Sequence, residues 1–233
     1  MKKILLIAAI ALATISCSDD DNNKTAGPPA MVMTHFTTTS ETNGFNLEYT
    51  LTYDEQHRLQ KILKTGDVPA TLTYHYNDNN TVSSLDVLEG VNEREIVFIY
   101  DAQSHMTSFE IDGVATAVVY DAASRTYTIN TIQLQLNEIG DVLSTNVLKF
   151  GYVGLGSFAS VNGANIQLVN NLADGMFIFV GSRSAVESIK DYEGNKVYEI
   201  TNTLDESGYP SKVVVDSQLD DIIITAELKY EPI

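Results

Sequence analysis

Four histidines, His35, His57, His75 and His105, are the residues of this 233-residue chain that could ligate a metal or act as a base near neutral pH. None stands in a His-Glu-x-x-His helix or in a two-residue metal pair. His57 and His105 fall in equivalent turns and could approach each other, or could be two exposed turn residues. Asp54, Asp78, Asp101, Asp121 and Asp205 recur at turns and should lie along one edge. Together they could offer oxygens to Ca²⁺, or each could simply cap its own turn. No Asp-x-Asp-x-Asp-Gly loop favours the cation. Gly154-x-Gly156-x-x-Ala159 has the outline of a dinucleotide fingerprint. That motif needs a βαβ unit around it, and its surroundings read as antiparallel. Acidic residues number 31, so a glycosidase-like pair cannot be picked out by abundance. There is no Trp to line a sugar subsite and no Gly-x-Ser-x-Gly elbow. Tyr53, Tyr76, Tyr100 and Tyr120 recur at equivalent places, about 9–10 Å apart if they sit on every second strand. Such a row could stack on a glycan or an apolar ligand, or point into the core with its hydroxyls satisfied near the sheet edge. From these residues we expect no catalytic group, no metal and no cofactor, and no ligand-binding residue can be singled out.

The elements that carry these residues are strands. Phe45 to Tyr53 alternates apolar and polar, the period of a half-buried strand. Asp54-Glu55-Gln56-His57-Arg58 makes a polar turn, and Leu59-Gln60-Lys61-Ile62-Leu63 re-enters the sheet. The unit recurs as Tyr76-Asn77 with Val82 and Leu85, and as Tyr100-Asp101 with Met106 and Phe109. Weaker copies are Tyr120-Asp121 with Thr126 and Ile129, Leu136-Asn137 with Val142 and Thr145, and Leu204-Asp205 with Pro210 and Val213. In each, an Asp or Asn side chain can accept backbone N–H groups just ahead of it and so start the turn. Ile96 to Tyr100, Ala117 to Tyr120 and Ile222 to Ile224 are apolar on both faces, which predicts something packed over the second face there. The candidate cover is a non-repeating insert at about 151–196. Within it, Ile166, Val169 and Leu172 predict a short helix over about 163–173, and Met176 to Val180 reads as a strand or as the rest of the cover. If a binding site exists, this insert is where we expect it.

The N-terminus is read separately. Lys2 and Lys3 precede an apolar run from Ile4 to Ile15, too short for a comfortable membrane span. Ser16 and Cys17 follow, and Cys17 is the only cysteine. This arrangement resembles a lipobox, with Thr14 departing from its usual Leu. The resemblance implies cleavage after residue 16 and acylation of Cys17, whose chains would each contribute about 0.8 kcal/mol per buried methylene. Ser18-Asp19-Asp20-Asp21 is similar to the acidic tag that sends Bacteroidota lipoproteins to the outer face of the outer membrane. Residues 17–30 would then be a lipidated, flexible tether. Without Lys2 and Lys3 the 14 basic residues fall to 12 against 31 acidic, a net charge of −19. Such a balance excludes nucleic acid as a partner and disfavours close contact with an anionic membrane.

The Tyr-Asp-x-x-Gly-x-Leu pattern looks like the YD repeats of Rhs-type proteins. Joined to the acidic lipoprotein start, to Gly156–Gly163, to Ser184–Ile189 and to Asp205–Val213, it resembles a Bacteroidota surface-lipoprotein family of unknown function. The resemblance implies an antiparallel β-fold and carries over no catalytic residues. The expected architecture is mainly β: one domain over 31–233, a large antiparallel meander curled into an open barrel-like sheet with one short helix, or else a β-sandwich. The expected function is a non-enzymatic binding module for an extracellular glycan or protein, anchored in the outer membrane through Cys17 and facing outward. A structural or assembly subunit of an outer-membrane complex is the second possibility, and an extracytoplasmic hydrolase the third.

Overall fold

A computed structural model describes residues 30–163 and 165–233. Sixteen strands follow one another: β1 (Met31–Thr39), β2 (Asn46–Tyr53), β3 (Leu59–Gly66), β4 (Ala70–Tyr76), β5 (Val82–Glu89), β6 (Asn92–Tyr100), β7 (Met106–Ile111), β8 (Val114–Asp121), β9 (Thr126–Ile129), β10 (Ile132–Leu136), β11 (Val142–Thr145), β12 (Lys149–Val153), β13 (Ala185–Lys190), β14 (Lys196–Leu204), β15 (Pro210–Ser217) and β16 (Ile223–Pro232). Two helices, α1 (Ile166–Ala173) and α2 (Phe177–Val180), interrupt the series between β12 and β13. Each strand pairs antiparallel with the next, and β16 returns to β1, from Met31↔Pro232 to Thr39↔Thr225. The meander is therefore barrel-like, as expected from the sequence, and it closes fully instead of staying open. Closure removes both free edges, which an open meander of this length would expose.

Because every connection joins neighbours, the turns fall alternately at two ends. The proximal end carries the first and last described residues, with the Ile233 N–H donating to the Ala30 carbonyl at 3.1 Å. It also carries the Asp and Asn turns of the repeat. In these, Asp54 Oδ1 accepts the N–H groups of Gln56 and Arg58, Asp101 those of Gln103 and His105, Asn137 those of Ile139 and Asp141, and Asp205 those of Ser207 and Tyr209. Asn77 rather than Asp78 opens the 77–81 turn, its Nδ2 donating to Thr81 Oγ1. The same motif recurs at Asp191, at the opposite end. The fourth residue of each turn has positive φ: Gly140 at 94°, Gly194 at 91° and Gly208 at 85°, but His57 at 58°. A left-handed non-glycine residue costs about 1 kcal/mol. His57→Gly is therefore expected to raise stability by about 0.5–1 kcal/mol, read as a higher denaturation midpoint. An unchanged or lower midpoint would show that the His57 ring supplies compensating contacts.

Every proximal turn but the one after Asp121 is flanked by a bulge, such as those at Thr52/Tyr53 and His75/Tyr76. Bulges take a residue out of the ladder and increase twist. The tyrosine of the next hairpin reaches back to the carbonyl there. Tyr76 donates to Leu59 (2.7 Å), Tyr100 to Val82 (2.7 Å), Tyr152 to Val142 (2.6 Å) and Tyr230 to Pro210 (2.8 Å), while Tyr53 reaches Met33 (2.6 Å). These hydroxyls stitch each unit to the one before it. Tyr120 differs: its ring stacks on His105 (4.1 Å) and meets the tilted ring of Tyr127 (4.5 Å).

The core lies inside the barrel. On β2, Tyr49 and Leu51 are buried while Glu48, Thr50 and Thr52 are exposed, and on β16 Ala226 and Leu228 are buried while Glu227 and Lys229 are exposed. The interior is filled by the chain itself. The 154–184 connection enters from the proximal end, and Ile166, Leu168 and Val169 of α1 and Phe177 and Val180 of α2 are buried. Phe177 meets Phe36 of β1 and Tyr49 of β2, Asn170 meets Tyr74 of β4, and Phe179 meets Tyr198 of β14. Contacts on opposite walls place the helices in the lumen. This corrects three expectations. The described residues hold two helices, not one. Of the two readings of the Met176–Val180 run, the strand fails and the rest of the cover holds: Phe177–Val180 is helical, since a hairpin folded into the lumen has no ladder to join. The cover is internal, and Ile99, Val119 and Ile223, expected beneath an outer layer, are exposed.

Candidate functional site

The plug is fixed at its mouth by polar contacts with the proximal turns. The Asn162 N–H donates to the His57 carbonyl and its Nδ2 to the Gln56 carbonyl (2.6 Å). Asn165 Nδ2 donates to the Ser104 carbonyl, and the Ser160 hydroxyl meets that of Tyr209 at 2.8 Å. The fully buried Asp141 carboxylate accepts the backbone N–H groups of Arg183 (2.6 Å) and Ser184 (3.0 Å) where the chain leaves the plug. Deeper in, Tyr74 donates to Asn170 Oδ1 at 2.8 Å. At the plug tip, Asp174 accepts from Lys64 Nζ (3.1 Å) and from the Tyr49 hydroxyl (3.3 Å). Burial, reinforced by the negative charge of Asp174, pushes the Tyr49 hydroxyl well above the ordinary tyrosine range.

No ligand-sized space remains between plug and wall beside Val142, Tyr152, Gln167 and Asn171. The void there is about 10 Å³, the scale of a single water. The larger concavities, about 190–370 Å³, lie on the outer wall and at its rim, lined by groups such as Glu187, Lys190 and Glu199, or Gln135, Lys149 and Tyr192.

The residues that could do chemistry are not gathered by the fold. His35 faces Glu48 (3.6 Å), His75 faces Asp86 (2.8 Å), and His105 binds Asp101 (3.2 Å), while the His57 carbonyl serves Asn162. His57 and His105 thus hold different partners. Among the described residues no group of three or more His, Cys, Asp or Glu gathers to hold a metal. The carboxylates with displaced acidities all move downward. Burial alone would raise Asp54, but hydrogen bonds from Arg58 and Gln56 and the Arg58 charge outweigh it. The His105 backbone N–H lowers Asp101, the Ser124 hydroxyl lowers Asp121, and the Asn195 side chain lowers Asp191. Such groups are turn anions; a general acid needs the opposite shift. Tyr53, Tyr76 and Tyr100 are half-buried and committed to carbonyls, and Tyr120 packs on His105 and Tyr127, so the four do not form an exposed stacking row. Gly154 and Gly156 sit in the loop that enters the plug, with no βαβ unit around them. Cys17, Ser18, Asp19, Asp20 and Asp21 lie outside the described residues.

The sequence reading missed the distal end. Its eight turns are mostly short, and seven carry an exposed apolar side chain: Val68 (54% exposed), Val91 (95%), Val114 (70%), Ile132 (56%), Val147 (65%), Tyr192 (53%) and Leu219 (75%). Below this rim the mouth is floored by partly buried Leu47, Ile111, Leu148, Phe179, Tyr198 and Ile224. The signal was available in Asp112-Gly113-Val114 and Gly90-Val91, where a large apolar residue adjoins a turn pair that normally has polar neighbours.

No protein-family model matches the chain, and no curated protein matches it significantly. Among solved structures, it is similar to a porin-like protein from Bacteroides uniformis, with 11% identity, a TM-score of 0.45, and 88% of this chain and 98% of that one covered. A porin-like protein from Bacteroides vulgatus gives 12% identity, a TM-score of 0.42, and 87% and 100% coverage. Superposition at this level carries no argument about what the present chain does.

Proposed function

We propose that the chain is a non-enzymatic binding module held at the outer membrane by lipid on Cys17 and displayed toward the cell exterior. The observation that carries this reading is the direction of the barrel wall. A barrel that spans a membrane turns an apolar band about 25 Å tall toward the lipid. Here Glu48, Lys61, Glu95, Glu199 and Glu227 are exposed on the strands, with Thr50, Thr52, Thr201 and Thr203 among them. Lys61 at mid-bilayer would cost about 2–4 kcal/mol, and each Glu a smaller amount. The wall is built for water, and its lumen is occupied by α1 and α2, so neither spanning nor conduction suits it. No helix among the described residues is long and apolar enough to cross a membrane. Attachment then falls to the N-terminal segment, which enters at the proximal end and leaves the distal end pointing away.

The test is fractionation of cells producing the full chain or Cys17→Ala. The parent should sediment with membranes, and the variant should be folded and soluble without detergent. External protease should reach the parent on intact cells. A Cys17→Ala chain that stays in the membrane after an alkaline wash would mean that the wall itself is embedded, and would overturn the reading. Protection from protease until lysis would place the module on the periplasmic side.

A further inference from the structure

We infer that the distal rim is a docking surface for a protein whose contact face is basic around an apolar centre. The inference takes from the proposed function only its orientation, with the proximal end toward the anchor.

Exposure at a turn tip does not explain the rim. The proximal turns are equally exposed, yet 54–58, 77–81 and 205–209 hold no exposed large apolar residue; at that end Ile139, Val153, Leu204 and Ile233 are exposed, each at a turn or strand end. Valine, isoleucine and leucine are poor turn residues, so their recurrence at the distal turns is not a folding requirement. Exposed apolar side chains that recur around one rim suit an interaction site.

The charges flanking the tips select the occupant. Asp67 precedes Val68, Glu89 and Glu93 flank Val91, Asp112 precedes Val114, Glu193 follows Tyr192, and Asp220 and Asp221 follow Leu219. Among the described residues, Asp67, Glu93, Asp112, Glu193, Asp220 and Asp221 enter no salt bridge; Glu89 is paired with Arg94. An anionic lipid surface would be repelled by this ring. A second copy would bring like charges face to face. At the tips a glycan would find one exposed aromatic ring, Tyr192, whose one face is already covered by Lys149 at 4.6 Å. A protein with Lys and Arg around an apolar patch satisfies both the tips and the ring. Electrostatic steering would speed its arrival, and the desolvated centre would hold it.

The test places a photo-crosslinking side chain at the position of Val91, Val114 or Leu219 in the full-length, anchored chain in its producing cells, with the positions of Glu55 and Glu206 at the proximal end as controls. The distal positions should crosslink to one protein that the controls do not reach. That protein, purified, should bind the purified chain. Binding should weaken about tenfold or more when Val91→Ser, Val114→Ser and Leu219→Ser are combined, and should weaken again at high salt. These tips are exposed, so the variant should keep its unfolding midpoint, which separates lost docking from lost fold. Crosslinks to lipid or to a second copy, binding unchanged by the triple substitution, or no distal crosslink beyond the controls would overturn the proposal. A chain that is surface-exposed and lipid-anchored yet gives no distal crosslink would sink this inference while leaving the proposed function standing.

Discussion

Raised from neutral pH, the barrel is expected to stay folded to about pH 10 and then unfold abruptly over one to two pH units. Eight tyrosines carry hydroxyls displaced upward. Burial is the leading cause in every case: Tyr49, Tyr53, Tyr74, Tyr76, Tyr100, Tyr152 and Tyr230 all move well up, and Tyr127 is pushed to about 12. Neighbouring negative charge adds to it, from Asp174 at Tyr49, Asp54 at Tyr76 and Asp141 at Tyr152. The sign follows from proton counting. Below about pH 10 these groups are protonated in both states and contribute no pH dependence. Above it the unfolded chain gives up protons that the folded chain retains, so stability falls as pH rises. Each group contributes about 1.4 kcal/mol per pH unit, and eight together approach 11 kcal/mol per unit, on the scale of an entire domain's stability. Tyrosinate absorbance and circular dichroism should therefore change together, in one step. Tyrosines ionising one by one near pH 10, with the β signal intact, would show that the hydroxyl clasps are open to water.

Phe177→Ala should cost about 3–5 kcal/mol, the range for a large aromatic removed from a core. Phe177 is 2% exposed. It stands edge-on to Phe36 (5.8 Å) and Tyr49 (6.2 Å), which are themselves stacked at 4.1 Å, and it packs against Phe158 at 5.9 Å. One ring therefore joins the plug to β1 and β2, and the β1–β16 pairing closes the barrel beside it. The wall cannot collapse into the space, because the neighbouring rings are held by the strands. Phe179→Ala makes a control of nearly the same chemistry. Phe179 is only partly buried and touches Tyr198, so its loss should cost distinctly less. A drop in the Phe177→Ala denaturation midpoint no larger than the control's would mean that the plug rests in the lumen without bracing it.

What could be read from the sequence was local. Tyr53-Asp54 and its copies identified strand ends and turns because an Asx side chain and an alternating strand act over a few residues. Even the worn Leu136-Asn137 copy folds as the motif requires. The inward direction of the insert was not legible. Ile166, Val169 and Leu172 announce a helix with an apolar stripe, but a stripe has the same spacing whether it packs on the outside of a sheet or inside a barrel. Only closure between β1 and β16, a pairing of the chain's most distant segments, decides that. The runs at Ile96–Tyr100 and Ile222–Ile224 misled for a related reason. Their second faces are simply exposed, as isolated apolar residues on a water-facing wall often are. The contact of Asp141 with the Arg183 and Ser184 amides was equally invisible, since backbone donors leave no trace in residue types.

The seam between β1 and β16 has a kinetic consequence. Every other ladder joins strands adjacent in sequence and can zip as the chain emerges. The seam needs Met31 beside Pro232, so the ring cannot shut until the last strand is out. Until then both edge strands are open to other chains, and the plug has only part of a wall to pack on. Truncating β16 should therefore do more than remove one strand in sixteen. It should leave a chain that rolls up without locking, prone to pair with its neighbours instead of with itself.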